Sequence, residues 1–347
     1  MPVKIGRHRV GPGSRAVVVA EAGVNHDGSL EAALALVDAA ADAGADVVKF
    51  QVFRADALAT ATAAAATYQR TTGHAKQREM LRRLELSDAD LARIRNHCRA
   101  RGIEFLATPF SPADVDRLVA LGVPGLKIAS TDLNNTPLLR RAAQAGLPVI
   151  VSTGAATAEE IEAAVRRFEQ WGLKERLVLL HCVSGYPTPT SAANLGAIAA
   201  LGRLARVPVG FSDHTTSVAI AGWAVAAGAC LLEKHFTLDR TRTGPDHAMS
   251  LEPADLSAYV AAAREAEVAL GTGRLGMTPL EREVRAVARK SIVSACRIAA
   301  GTRVTPEMLT IKRPGGGVPP DEFDAVVGRR AERDIPEDTV IEWGMLA

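Results

Sequence analysis

Two histidines follow two short apolar segments in the second half of the sequence, and acidic residues stand beside both. His214 comes directly after Asp213, and His235 shares one face of its segment with Glu233, because side chains two residues apart on a strand point the same way. Two imidazoles with open coordination positions suit a divalent transition ion such as Mn2+, Co2+ or Zn2+, and they match Mg2+ less well. Asp213 and Glu233 could orient such ligands or hold a metal-bound water. A single buried histidine is more often a hydrogen-bonded core residue, so it is the pair that predicts a metal site.

A second set of polar residues carries ammonium or hydroxyl groups, and it also falls at the ends of apolar segments or in the turns just beyond them. Its members are Lys49, Thr108, Lys127, Ser130, Ser152, Thr153 and Ser212. Ammonium groups, hydroxyls and the amides at helix starts together hold phosphate or carboxylate. Each hydroxyl taken alone is also explained as a helix N-cap. The two lysines have no such structural use inside apolar segments, where an unpaired charge is costly, so the set predicts an anion site.

These residues need strands that bring them to one place. Short runs rich in β-branched residues alternate with amphipathic helical patterns, and the strand candidates are Ala16–Ala22, Val47–Val52, Glu104–Ala107, Leu126–Ala129, Val149–Ser152, Leu177–Cys182, Pro208–Phe211 and Cys230–Phe236. Eight such βα units in a row predict an α/β fold, a closed (β/α)8 TIM barrel of parallel strands covered on both faces. An open doubly wound sheet is the alternative, but no G-x-G-x-x-G follows the first strand to support it. In a barrel the working residues protrude from the C-terminal ends of the strands, where both polar sets fall.

Helix starts are marked by capping signals. Thr157 with Glu160 forms a capping box, and Ser111-Pro112 and Thr136-Pro137 place proline at the first helical position.

One connection is unusually long. The segment from Arg54 to Leu86 separates the second strand from its helix, Asp88–Arg101, and loops of this length on a barrel are often functional lids. Its low-complexity stretch, Ala59–Ala66, is expected to be helical.

The pattern changes after Leu270, which predicts a second domain. Residues 1–270 are assigned to the catalytic barrel, 271–289 to a linker with a helix over Pro279–Ala288, and 290–347 to a small α+β module. Strands are predicted in the module at Ser291–Ala295 and Val340–Trp343. A module of this size buries little core of its own and should lean on another surface.

Composition excludes several classes of partner. With 48% hydrophobic residues, 23% charged residues and a net charge of +2, the chain has no electrostatic basis for binding nucleic acid or an anionic membrane. The basic N-terminal residues precede no apolar core and do not begin a signal peptide, and the longest apolar run, Val218 to Leu232, is too short to span a membrane. Four cysteines without a CxxC pair indicate reduced thiols, as in a cytoplasmic protein.

Around these polar residues the sequence resembles the sialic acid synthase family, which includes N-acetylneuraminate synthases, legionaminate and pseudaminate synthases, and spore-coat polysaccharide synthases. The matching stretches cover nearly the whole chain in order, with Glu233-Lys234-His235-Phe236-Thr237-Leu238-Asp239 the strongest. The others are 20–28, Val48-Lys49-Phe50-Gln51, Ala107-Thr108-Pro109-Phe110, 126–130, Val151-Ser152-Thr153-Gly154, 181–189, 210–215 and Gly244-Pro245-Asp246-His247.

The resemblance implies a function that fits the two polar sets. A divalent metal, Mn2+ with Co2+ or Mg2+ as alternatives, would be held by His214 and His235 and would coordinate the aldehyde oxygen of an open-chain N-acetylmannosamine-type amino sugar. The lysine and hydroxyl set would bind phosphoenolpyruvate, and the product would be a nine-carbon 2-keto sugar acid plus phosphate. Glu21 and Glu233 are candidates to position or deprotonate the water that releases phosphate.

The resemblance also implies how the sugar is bound. Gln51, Tyr186 and Asp246 are candidates to contact its hydroxyl groups. The module 290–347 is similar to the antifreeze-like (SAF) domain, which in the family crosses to the partner subunit of a domain-swapped homodimer and offers an arginine to the sugar. Arg313 occupies that place here.

Departures from the family pattern leave the sugar open. Ser184-Gly185 replaces a polar pair, Ala248-Met249 stands where a basic residue is common, and the expected acidic-serine pattern is missing from Gly73-His74-Ala75-Lys76 before Gln77. N-acetylmannosamine, its 6-phosphate and a 2,4-diacetamido-6-deoxy hexose all remain candidates. Two other functions compete with the synthase: a metal-dependent aldolase or lyase that acts on pyruvate, and a non-catalytic saccharide- or ice-binding protein.

Overall fold

The fold is taken from a computed structural model, which describes residues 1–63 and 76–347. The chain forms two compact units, Met1–Gly271 and Thr272–Ala347. Among the helices in the described part of the chain, none is both long enough and apolar enough to cross a membrane.

The first unit is built on eight parallel strands. They are β3 (Val17–Gly23), β4 (Val47–Val52), β5 (Glu104–Pro109), β6 (Leu126–Ile128), β7 (Val149–Ser152), β8 (Leu177–Cys182), β9 (Val209–Asp213) and β10 (Leu231–His235), preceded by a hairpin of β1 (Val3–Ile5) and β2 (His8–Val10). The strand order is β5-β4-β3-β10-β9-β8-β7-β6, and β5 and β6 at its two ends lie against each other. The sheet therefore curves into the predicted barrel, and the open doubly wound alternative is wrong.

Ten α-helices are described in the first unit. They are α1 (Leu30–Asp42), α2 (Ala55–Leu58), α3 (Gln77–Arg82), α4 (Asp88–Arg101), α5 (Pro112–Leu121), α6 (Thr136–Gln144), α7 (Ala158–Gln170), α8 (Gly196–Ala205), α9 (Ile220–Ala226) and α10 (Pro253–Leu270). Helices α2 and α3 belong to the long connection after β4, and the others cover the outside of the barrel. The capping box of Thr157 and Glu160 is confirmed at α7, and Ser111 caps α5. At α6 the N-cap is Asn135 instead of Thr136, because the amide oxygen of Asn135 accepts the backbone N–H of Leu138.

The inside of the barrel changes character along its axis. At the N-terminal ends of the strands the inward positions are apolar, and the first hairpin closes this end by packing into the same cluster. That cluster contains Val3, Ile5, Val10, Val17, Val19, Val47, Leu106, Ile150, Val178, Leu180, Cys230 and Leu231. Toward the C-terminal ends the same faces carry charged and hydroxyl side chains. A period of two therefore puts a packed apolar layer beneath a polar mouth.

The described parts of the long connection after β4, residues 54–63 and 76–86, contribute side chains at this mouth. The short helices α2 and α3 contribute to an apolar cluster that contains Val24, Phe53, Ala55, Ala59, Met80, Leu81 and Leu84. The prediction of a helix over Ala59–Ala66 is wrong for its described part, because α2 ends at Leu58 and Ala59 is extended. Residues 64–66 of that prediction, and residues 73–75 of the departure before Gln77, lie outside the described residues.

The second unit has its own small core. It consists of α11 (Glu281–Ala288), the antiparallel strands β11 (Ser291–Ser294) and β12 (Leu309–Lys312), and α12 (Phe323–Val326). Its core cluster is formed by Ile292, Ile298, Val304, Leu309, Val318, Val326, Ala331, Ile335, Ile341, Met345 and Leu346. The predicted strand Val340–Trp343 is wrong: Val340 makes one isolated bridge to Val293, and Trp343 begins a 3-10 turn. All four cysteines of the chain are free thiols, and Cys296 alone among them is exposed.

We predict that Gly210→Ala destabilises the barrel by about 1–3 kcal/mol, because an added methyl group overpacks the interior. A Cβ at this position would lie 2.3 Å from the carbonyl oxygen of Leu231 and 2.7 Å from Cδ2 of Leu180. The matched control is Gly202→Ala in α8, where the nearest atom would be 3.8 Å away; it should stabilise by about 0.4–1 kcal/mol. Chemical denaturation measures both changes, and an equal effect of the two substitutions would contradict the packing argument.

We also predict that the barrel loses stability between about pH 6.5 and pH 4 through His26. This side chain is fully buried, and its burial lowers the pKa to about 4, below the ordinary 6.5. Between these values the unfolded chain binds a proton that the folded chain does not, so stability falls with falling pH, by up to about 3 kcal/mol. His26→Gln should flatten this part of the pH profile in denaturation experiments; an unchanged slope would show that other groups cause it.

Candidate active site

A cavity of about 500 Å3 opens at the C-terminal ends of the barrel strands. Most of the predicted site residues line it: Glu21, Lys49, Gln51, Thr108, Lys127, Ser130, Ser152, Tyr186, Ser212, His214, Glu233 and His235. Residues from all eight parallel strands, or from the turns after them, thus converge on one space, as the barrel predicts.

Strand register explains this convergence. Glu21 on β3 pairs with Lys49 on β4 and with His235 on β10, so these three lie side by side at one level of the barrel. Glu233 on β10 is level with Ser212 on β9. Alternation along each strand turns all of them inward.

Four buried charges form the floor of the cavity. The Nζ atom of Lys49 lies 2.8 Å from Oε2 of Glu21 and 3.7 Å from Oε2 of Glu233, and Nζ of Lys127 lies 3.3 Å from Oε1 of Glu233. Lys49 also donates to Oγ1 of Thr108 at 2.9 Å. We call Glu21, Lys49, Lys127 and Glu233 the charge cluster. Its two cations and two anions compensate one another, as buried charges require.

The two carboxylates of the charge cluster differ in their affinity for a proton. Burial raises the pKa of Glu21 above its ordinary value, and the single close ammonium group of Lys49 does not offset this. Burial acts on Glu233 in the same sense, but Lys127 and Lys49 together outweigh it and lower the pKa of Glu233. Glu233 is therefore the ionised member of the pair and Glu21 the one that takes a proton more readily, a division that suits one base and one acid.

His214 and His235 lie together at the rim of the cavity, with ring centroids 5.6 Å apart. Nδ1 of His214 is 2.8 Å from the carbonyl oxygen of Val183, which can only accept, so this nitrogen donates and Nε2 carries the lone pair when the ring is neutral. Nδ1 of His235 is buried without a hydrogen bond, and burial lowers the pKa of this ring well below its ordinary value. Burial lowers the pKa of His214, but its contacts with Cys182 and with the carbonyl oxygen of Val183 outweigh burial and raise that pKa above its ordinary value. Histidine binds a metal in its neutral form, so the two rings fit a divalent ion that displaces the proton of His214.

The wider metal prediction fits less well. Within residues 1–63 and 76–347, no group of three or more His, Cys, Asp or Glu side chains is arranged to hold a metal ion. The suggestion that Asp213 supports the ligands is wrong. Its carboxylate points away from the cavity and accepts from Nζ of Lys234 at 2.9 Å, because both residues occupy outward positions of adjacent strands.

The hydroxyl groups predicted for anion binding have different partners. Ser212 donates to Oε1 of Glu233 at 3.3 Å, and Oγ of Ser130 accepts the backbone N–H of Gly154 at 2.9 Å. The buried hydroxyl of Ser152 has no hydrogen-bond partner in the described part of the chain. Thr153 is not among the residues that line the cavity, and its hydroxyl donates to the carbonyl oxygen of Leu180.

The residues predicted for the sugar are divided between places. Gln51 donates to Oε1 of Glu21 at 3.3 Å, and the ring of Tyr186 lies 4.2 Å from that of His214, centroid to centroid. Asp246 lines an adjoining cavity of about 120 Å3, where its Oδ2 is 3.7 Å from Nδ1 of His235. Burial, followed by the nearby charge of Glu21, raises the pKa of Asp246 to about 6. Arg313 belongs to the second unit, where it is exposed.

Several residues of the cavity were missed from the sequence. Cys182 and Asp132 line it, as do Leu58, Gln77, Leu81 and Phe110 from the long connection and its surroundings. Ser184, which the sequence marked as a departure from the family pattern that bears on the sugar, lines it too. Alternation offered a signal for Cys182, which ends a predicted strand two residues after inward-facing Leu180. The apolar residues gave no such signal, because nothing in the sequence of a connection fixes which side chains turn toward the barrel.

Comparison with known proteins agrees with this geometry. Residues 36–275 match the NeuB family and residues 289–347 match the SAF domain. The chain is 39% identical over 331 residues to the N,N'-diacetyllegionaminic acid synthase of Legionella pneumophila, an alignment that covers 94% of this chain and 93% of that one. It is 34% identical to the N-acetylneuraminate-9-phosphate synthase of Mus musculus, over 94% of this chain and 91% of that one.

Solved structures give the same result. The N-acetylneuraminic acid synthetase of Leptospira borgpetersenii has a TM-score of 0.74 to this chain at 36% identity, and the match covers 82% of this chain and 95% of that one. The family resemblance, the SAF domain and the enzyme class predicted from the sequence are thereby confirmed. The chain belongs to the NeuB family of sialic acid-type synthases, which are transferases, and it carries a SAF domain after its barrel.

Proposed function

We propose that this enzyme joins phosphoenolpyruvate to an open-chain N-acetylmannosamine-type amino sugar, with the help of a divalent metal, and releases phosphate and a nine-carbon 2-keto sugar acid. The observation that carries the proposal is the charge cluster beside the histidine pair. An anion can bind near Lys49 and Lys127, and an aldehyde oxygen can bind near His214 and His235, within one cavity of about 500 Å3.

Phosphoenolpyruvate would bind over the charge cluster. Its phosphate and carboxylate need cations and hydroxyl donors, which Lys49, Lys127 and the hydroxyls of Thr108, Ser130, Ser152 and Ser212 supply around the same floor. The pKa of Glu21, raised by burial, supports proton uptake by this carboxylate when the anion arrives, and this would release the ammonium group of Lys49 to the ligand. Thr153 would contribute backbone groups to the turn beside the anion, since its hydroxyl donates to the carbonyl oxygen of Leu180.

The sugar would bind on the histidine side. His214 and His235 would hold the metal, proposed to be Mn2+, which when bound acts as a Lewis acid toward the aldehyde. Gln51, Tyr186 and Asp246 would accept or donate hydrogen bonds to the sugar hydroxyls. We further propose, from the family resemblance, a homodimer in which Arg313 of the partner subunit completes the sugar site.

The reaction requires one carbon–carbon bond to form and one carbon–oxygen bond to break. C3 of phosphoenolpyruvate attacks the aldehyde carbon, and the aldehyde oxygen gains a proton to become a hydroxyl. Water then adds to C2, loses a proton, and the C2–O bond breaks with release of phosphate. Glu233, with its lowered pKa, suits the base that accepts the proton of water, and Glu21, with its raised pKa, suits the acid.

An apolar wall supports an unphosphorylated sugar. The cavity of about 120 Å3 beside His235 and Asp246 is lined otherwise by Gln51, Tyr186 and the apolar residues Val24, Met80, Leu81, Leu84, Pro245 and Met249. None of these lining residues, which all lie in the described part of the chain, is cationic, and a phosphate placed there would lose hydration without compensation. The wall suits a methyl or acetyl group, as in a 2,4-diacetamido-6-deoxy hexose, and two relatives are named N,N'-diacetyllegionaminic acid synthase.

We predict that phosphate release depends on both phosphoenolpyruvate and an amino sugar, because each of the two substrates supplies one of the carbons that form the new bond. A colorimetric phosphate assay over N-acetylmannosamine, its 6-phosphate and a 2,4-diacetamido-6-deoxy mannose should give the 6-phosphate the lowest kcat/KM, by at least about tenfold. Condensation of the sugar with pyruvate, in the absence of phosphoenolpyruvate, would establish the aldolase alternative instead. Binding of saccharide without turnover of any of the three would favour the non-catalytic one.

We predict that metal removal by a chelator abolishes turnover and that added Mn2+ restores it. His235→Ala should lose bound metal, measured by atomic absorption, and at least about 100-fold in kcat, while its thermal unfolding stays unchanged. The matched control is His97→Ala in α4, whose ring binds Asp38 on the outside of the barrel and should retain both metal and activity. Full activity of a metal-loaded His235→Ala variant would exclude His235 as a ligand.

A further inference from the structure

One buried imidazole joins two loops at the mouth of the barrel. His247 is fully buried, with its Nδ1 2.7 Å from Oγ1 of Thr237 and its Nε2 3.0 Å from Oδ1 of Asp27. Because a carboxylate only accepts, Nε2 of His247 donates to Asp27. The other oxygen of Asp27 lies 2.8 Å from Nη2 of Arg242. We call Asp27, Thr237 and His247 the loop brace.

The backbone around the loop brace is shaped to fit this ring. A Cβ at Gly244 would lie 2.5 Å from Cδ2 of His247 and 3.2 Å from Oδ1 of Asp27, so the chain passes directly against the imidazole. Asp27 itself has a φ of 51°, in the left-handed region that few residues adopt and that Asp tolerates better than most. Backbone conformations of this kind persist where the surrounding structure requires a particular position.

The loop brace leads directly to Asp246. The carbonyl oxygen of Asp246 accepts from Oγ of Ser250 at 2.6 Å, and that hydroxyl accepts from Nδ2 of Asn25 at 3.0 Å. His247 follows Asp246 in the chain, so residue 246 is fixed through its neighbour and through its own carbonyl group. Its carboxylate is thereby held 3.7 Å from Nδ1 of His235.

His247 has no route to a substrate of its own. It is buried and lines neither the large cavity nor the adjoining one, so it can act only through residues that do. The two loops that it joins follow β3 and β10, the strands that carry Glu21, Glu233 and His235. A histidine that merely filled the core would stabilise the barrel without favouring one substrate.

We propose that the loop brace is a positioning device that sets the Asp246 carboxylate for the sugar. The proposal rests on the proposed function, because the partner of Asp246 is taken to be a sugar hydroxyl. It implies an asymmetry: loss of the loop brace disturbs the sugar side, while Lys49 and Lys127, held by their own ion pairs, keep the phosphoenolpyruvate side intact.

The test compares His247→Ala, His247→Gln and the unmodified enzyme by steady-state phosphate release with each substrate varied in turn. We expect His247→Ala to lose about 10–100-fold in kcat/KM for the sugar, with KM for phosphoenolpyruvate within about twofold. His247→Gln, whose amide can still donate to Asp27, should recover part of the loss. The matched control is Arg240→Ala in the same loop, whose ion pairs with Glu252 and Asp255 lie outside the loop brace.

The outcomes separate the proposals. Thermal unfolding gives the folded fraction of each variant, and a fall in activity that matches lost folded protein, with both KM values unchanged, would overturn the positioning role. An equal rise of KM for both substrates would also overturn it. If the unmodified enzyme releases no phosphate with any amino sugar, the proposed function itself fails, independently of His247.

Discussion

Four charges must be kept together, out of water, at the mouth of a barrel whose lower half is apolar. Removing each ion of the charge cluster from water costs several kcal/mol, and only close partners of opposite sign offset that cost. Lys49 meets this requirement through Glu21 and Glu233, and Lys127 through Glu233 alone. The arrangement is therefore costly to build and balanced only as a whole. Its placement in a cavity, beside His214 and His235, indicates that the cost serves chemistry.

The barrel makes this arrangement possible because its strands alternate. On β10 the inward positions run from Leu231 to Glu233 to His235, and on β4 from Val47 to Lys49 to Gln51. The first residue of each series packs in the apolar layer, and the later ones enter the cavity. A shift of one residue in register would exchange inward and outward faces, as Asp213 and Lys234 illustrate by pairing on the outside. Packing below and charge above are thus two ends of the same pattern.

Strand periodicity also decides how much could be predicted from the sequence. All eight strands and the inward placement of Lys49, Glu233 and His235 follow from local pattern, because a buried strand has a period of two and the C-terminal ends meet at one edge. Asp213 was wrongly assigned to the site because it stands next to His214 in the sequence. The alternation of the strand instead points its side chain outward, opposite to that of Ser212. Thr153 was correctly located in its turn, but its hydroxyl is used by the carbonyl group of Leu180, a partner that only the three-dimensional structure reveals.

Connections were harder to predict than strands. Ala59 was expected to lie in a helix on composition, yet α2 ends one residue earlier and Ala59 is extended and packs in the apolar cluster with Met80 and Leu81. Gln77 and Leu81, both in α3, line the cavity, and Leu81 also belongs to the apolar cluster with Val24 and Phe53. No periodic signal in the sequence orients so short a helix. The buried contact between Asp27 and His247 joins residues 220 positions apart, and sequence spacing carries no information about it.

The unequal carboxylates give the site its direction. Glu233 shares two ammonium groups and stays ionised, while Glu21 has one close ammonium group and takes a proton more readily. One cavity therefore holds two carboxylates of unequal proton affinity on adjacent strands, without any difference in residue type. In the proposed function, the same cavity offers lysines to phosphoenolpyruvate on one side and imidazoles to a metal on the other.

The most direct test is a crystal structure of the enzyme soaked with Mn2+ and phosphoenolpyruvate. The account predicts the ion on His214 and His235 and the ligand over Lys49 and Lys127, in one continuous cavity. Density for the ion and for phosphoenolpyruvate at two unconnected places would contradict it, because a condensation could not then occur between them.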